Sequence, residues 1–107
     1  MLFRSLLEQA RHSIKTAKAA GVSIAAGSDS GGGSVRAGHL AWEITELVTA
    51  GLQPWEALAA ATWRGGDVLG IPDAGRLSPG TPARFILIHG NPLTDPAAAW
   101  RIWRTVG

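Results

Sequence analysis

Cysteine is absent from this chain. That excludes a disulfide framework and a thiolate metal site, so any metal would have to take histidine and carboxylate ligands. Long apolar runs are missing too: none approaches the roughly 20 residues that cross a bilayer. The opening Met1-Leu2-Phe3-Arg4 lacks the extended hydrophobic region of a secretory leader. The expectation is a soluble, cytoplasmic protein with no membrane partner. Charge is sparse at 17%, the net charge is only +2, and the ten Lys and Arg are scattered. A scattered basic excess argues against a nucleic-acid partner despite the high pI. There is no G-x-G-x-x-G in register and no G-K-[ST], so neither a dinucleotide site nor a phosphate-binding P-loop is expected. Internal repeats and low-complexity tracts are absent as well.

What is present is an ordinary folded composition, 46% hydrophobic over 107 residues. That is one domain at most, well short of the roughly 250 residues of a complete (β/α)₈ barrel. From Leu2 to Ala20 apolar residues recur at Phe3, Leu7, Ala10, Ile14 and Ala17, the spacing of an amphipathic helix. Lys15 and Lys18 suit its C-terminal dipole, and Gly21 suits its cap. His12 falls on the polar face, where a solvated role is expected. Leu40, Ile44, Leu47 and Val48 mark a second helix ended by Gly51. Pro54 and Glu56 open a third, with Leu58, Ala59, Thr62 and Trp63 inward and Gly65-Gly66 as its stop. The two should pack as a pair across Leu52-Gln53-Pro54. Beyond Ile71 the chain turns strand-rich. Arg84–His89 reads as a strand, Asp95-Pro96 as the start of a helical turn, and Arg101–Val106 as a final strand. The five tryptophans, spread over three segments, read as packing rather than as a sugar platform.

The stretch Gly21–Ser34, GVSIAAGSDSGGGS, organises the rest. Val22–Ala26 has almost no polar alternation, the pattern of a parallel strand buried on both faces. Asp29 follows at its mouth, where α/β proteins bind ligands. Two readings stand at this point: a residue that performs chemistry, or an Asx turn ahead of the glycines. A nucleophile elbow with Asp29 in the serine position is disfavoured, because the loop to Gly38 is too long for a sharp turn.

Three stretches taken together, AAGVSIAAGSDSG (19–31), ELVTAGLQPWEALAAAT (46–62) and LGIPDAGRLSPGTPARFILIHGNPLTD (69–95), resemble the C-terminal part of the metal-dependent amidohydrolase superfamily, nearest to its imidazolonepropionase-like and prolidase-like members. The resemblance implies an α/β fold. Residues 1–70 would be the last helix-strand-helix portion of a (β/α)₈ TIM-like barrel, and residues 71–107 the C-terminal strands of a small composite β-subdomain. It implies hydrolysis of amide, lactam or ester-like bonds in a small-molecule substrate with one or two divalent metals, commonly zinc. Asp29 matches the aspartate that binds the metal and takes a proton from the attacking water. A metal brings bound water near neutrality, so a neighbouring carboxylate can accept that proton and return it to the leaving group.

The departures are equally specific. The family's His-x-His and its ligands on the fourth, fifth and sixth strands have no counterpart in these residues, and a catalytic zinc takes three protein ligands. The chain is therefore expected to be a C-terminal fragment, inactive alone. The alternative is a truncated or degenerate module that acts only through association, and self-association or homo-oligomer formation through exposed barrel edges is the matching partner expectation. Ser28 and Ser30 flank Asp29 and are candidates to orient it or touch substrate. His39 is read either as a ligand or substrate contact, or as a residue flanking the helix start. His89 is expected to be structural, and Arg84 stands where the family usually has aspartate.

Overall fold

A computed structural model describes residues 2–28 and 39–107, with side chains from Arg4 onward. The order is helix α1 (Leu2–Ala19), helix α2 (Leu40–Thr49), helix α3 (Pro54–Ala61), helix α4 (Trp63–Val68), strand β1 (Phe85–Ile88), a 3-10 helix (Pro96–Trp100) and strand β2 (Ile102–Val106). This is a mixed helical chain with a small antiparallel sheet.

Helix α1 ends as its sequence dictates. The Gly21 N–H donates to the Lys18 carbonyl and the Val22 N–H to that of Ala17, so two terminal carbonyls are satisfied. Helix α2 repeats the device, with Gly51 donating to Val48 and Leu52 to Leu47. At the start of α3 the Glu56 carboxylate accepts from the Gln53 N–H at 3.0 Å, half of a capping box. Its Oε1 also meets Lys18 Nζ at 2.9 Å, and Lys18 donates to the Gly51 carbonyl at 3.0 Å. One lysine thus ties the end of α1 to the α2–α3 corner.

The core lies where α2, α3 and the 3-10 helix meet. Ile44, Leu47 and Leu52 bury against Ala57, Ala60 and Ala99, with Ile14, Ile24 and Leu58 packed at the margin. Alanines let the α2 and α3 backbones approach closely, but each removes little apolar area from water. No large side chain is fully buried among the described residues.

Four expectations are corrected. Val22–Ala26 is not a strand. Residues 22–28 have no strand pairing, Val22 is 55% exposed, and the segment's tie to the helices is the Ala26 N–H to the Ala60 carbonyl at 2.8 Å. A parallel strand needs neighbours for its backbone groups, and the described residues supply none. Gly65-Gly66 does not stop a helix: the break comes at Thr62 (φ −125°, ψ −104°), and α4 runs through both glycines. Gly66 serves close approach instead, since a Cβ there would sit 2.6 Å from the Ala74 carbonyl oxygen. The inner face of α3 is Ala57, Ala59 and Ala60, while Thr62 is exposed. The tryptophans do not pack as expected: Trp42, Trp55, Trp100 and Trp103 are each 46–64% exposed. Half-buried Trp63 lies between the guanidiniums of Arg64 and Arg76, 5.2 and 5.3 Å from its ring centroid.

The hairpin is as the C-terminal pattern predicts. Strands β1 and β2 pair antiparallel with Phe85 opposite Val106 and Leu87 opposite Arg104, and a register shift follows before Ile88 meets Ile102. The connection is held by Asp95, whose carboxylate accepts from the Ala97 N–H and pairs with Arg101 at 2.6 Å. Arg101 also donates from Nε to the His89 carbonyl.

Candidate functional site

Asp29 and Ser30, the two residues at the centre of the sequence argument, lie outside the described residues. The structure describes the approach to them. Residues 22–28 leave the end of α1, touch α3 through the Ala26–Ala60 bond and reach Ser28, which is half-buried. On the far side His39 precedes α2.

His39 occupies the helix-start position, and its carbonyl accepts from the Trp42 N–H at 3.0 Å. Its side chain caps nothing. The imidazole stands edge-on to Trp100 at 5.7 Å between centroids and tilted to Trp42 at 6.4 Å. Two exposed indoles therefore stand near the ring, Trp42 from the next turn of the same helix and Trp100 from the distant 3-10 helix, and the second was not signalled by the sequence. His12 is exposed on α1, and His89 follows β1 with its side chain exposed and its N–H bonded to the Arg101 carbonyl.

Carboxylates are perturbed at three described positions, none beside a histidine pair. Glu56 is held below the ordinary 4.5 by its hydrogen bond from Lys18, then by the Gln53 N–H. Asp95 is held below 3.8 chiefly by Arg101. Glu43 is pushed above 4.5 by burial, with the Glu46 carboxylate adding to it. A cleft of about 730 Å³ lies between the hairpin and the Gly75–Leu77 loop and is lined by Thr62, Arg76, Arg84 and Phe85 among others. Its lining has no Asp, Glu or His side chain to activate water. Among the described residues no three His, Asp or Glu side chains converge so as to hold a metal ion. Those residues do not fit a divalent-metal centre.

The class this defines is an α/β chain whose helical part leads through residues 22–28 toward the Asp29 motif, with a β-hairpin appended. The family model described as "Amidohydrolase family" matches residues 4–104, so the chain belongs to the amidohydrolase family, a family of hydrolases that usually bind divalent metal. No curated protein and no solved structure gives a significant match. The match supports a hydrolase over the association-only alternative.

Proposed function

We propose that this chain supplies the closing part of a metal-dependent amidohydrolase acting on amide- or lactam-type C–N bonds, or ester-like bonds, of a small molecule. In this reading residues 1–70 are the last helix-strand-helix unit of a TIM-like barrel and residues 71–107 a share of a β-subdomain. The setting is cytoplasmic, and zinc is the metal. Asp29 would be this chain's ligand to that metal and would accept the proton from water. Ser30 and His39 contact substrate. The observation that carries the reading is the family match over residues 4–104, which takes in the Asp29 motif, the helix pair and the hairpin in unbroken order.

Residues 22–28 support it further. Their apolar, small-residue sequence suits a buried parallel strand, yet they lie without strand partners beside the helices. Neighbouring strands from outside these residues would satisfy that backbone.

The test has two arms. In the natural gene product that carries these residues, Asp29→Asn should lower hydrolysis of a panel of lactams, amides and esters by roughly 10²- to 10⁴-fold, the span of a lost general base. Near-wild-type turnover in that variant would sink the assignment. The purified 107-residue chain should show no chelator-sensitive turnover, because three ligands are needed for a catalytic zinc. Turnover by that chain would overturn the claim that it holds only part of the centre.

A further inference from the structure

A second cleft, of about 290 Å³, opens between α1 and α2. Its apolar lining comes from Leu7, Ala10 and Ile14 on one helix and Leu47 and Ala50 on the other. Its ionisable lining is Arg11, Glu43 and Glu46. Arg11 pairs with Glu46 at 3.1 Å, which neutralises one carboxylate. Glu43 is half-buried and has no hydrogen-bond or ion-pair partner among the described residues, so the lining carries one uncompensated negative charge at neutral pH. A carboxylate drawn partly out of water without a cation is unfavourable, and a cation delivered to it in that setting is held more strongly than at an open surface.

We propose that this cleft binds a primary alkylammonium ion, the head on Glu43 and a short alkyl chain along Leu7, Ala10, Ile14 and Leu47. Charge complementarity selects the head, and the apolar lining selects the tail. The volume stands at the small end of ligand sites, roughly 300–1,000 Å³, which suits a small amine and not a docked helix. The upward pressure on the Glu43 pKa is the same imbalance seen from the protonation side. The site uses neither Asp29 nor turnover, so it stands or falls separately from the hydrolase reading.

Titration of the 107-residue chain with n-pentylammonium, followed by amide chemical shifts and by Tm, tests it. Saturable shifts confined to α1 and α2 and a rise in Tm are expected. Pentan-1-ol, with the same tail and no charge, should bind about tenfold more weakly or worse. Glu43→Gln should erase the difference between amine and alcohol. Glu8→Gln, on the exposed side of α1, should leave it intact. Equal binding of amine and alcohol, unchanged amine binding in the Glu43→Gln protein, or shifts mapping outside the two helices would each overturn the proposal.

Discussion

Glu43 illustrates how one side chain sets a pH dependence. Burial and Glu46 raise its pKa in the folded chain above the ordinary 4.5, so the folded state prefers the protonated acid. The contribution is present at low pH and is lost as pH rises through the folded pKa, leaving a cost at neutrality. Glu43→Gln should therefore raise stability at pH 7, by roughly 0.5 kcal/mol or less for a group with this much solvent contact. The gain should vanish near pH 3, and paired chemical melts at the two pH values would show it. Gly66 is constrained in the opposite sense. A methyl group there would meet the backbone oxygens of Ala74 and Ile71 at 2.6 and 2.9 Å, neither of which can yield cheaply. Gly66→Ala should cost on the order of 2 kcal/mol, despite the better helix propensity of alanine, as read by urea denaturation.

At the scale of elements, the α1–α2–α3 corner depends on Glu56. Its carboxylate takes the Gln53 N–H and Lys18, and these hold its pKa below 4.5. A depressed acid stabilises the fold above its unfolded pKa and ceases to do so as pH falls through the folded one. Glu56→Gln keeps an oxygen for the Gln53 N–H but loses the charge that pairs with Lys18, so it should cost roughly 0.5 kcal/mol at pH 7 and much less in acid. The comparison of wild type and variant by thermal melts at pH 7 and pH 3 decides it. The hairpin is a different case. Two strands with Ile86, Leu87, Ile102 and Trp103 all exposed give it apolar side chains on both faces that the described residues leave uncovered.

The whole molecule carries that imbalance further. Its radius of gyration, 14.6 Å, exceeds the roughly 13 Å of a compact chain of this length. Leu6, Val22, Leu69 and Leu77 join the four tryptophans at the surface. Exposed apolar area of this extent favours association. The 107-residue chain should form concentration-dependent oligomers in light scattering coupled to size exclusion. A monodisperse, cooperatively unfolding monomer across a hundredfold concentration range would refute that.

Local signals were readable in the sequence because local physics sets them. The periodicity of Leu2–Ala20, the Gly21 and Gly51 caps, Pro54 at the start of α3 and the apolar strand at Phe85–Ile88 all emerge within a few residues of their expected places. The Gly27–Gly31 stretch was legible as a motif, with Asp29 and Ser30 outside the described residues. Long-range features were not legible. Val22–Ala26 has the composition of a buried strand, but a strand exists only where other strands accept its backbone bonds. The tryptophans have the size of core residues, but burial requires a facing surface. Sequence by itself determined where α1 and α2 end, where α3 begins and where the hairpin lies, together with the family, because those follow from propensity, caps and motif order. Tertiary structure alone decided that Gly66 marks a close contact rather than a stop, that Trp100 comes beside His39, and that Glu43 shares a cleft with an Arg11 already paired to Glu46. Each of those depends on which distant backbone or side chain arrives beside it.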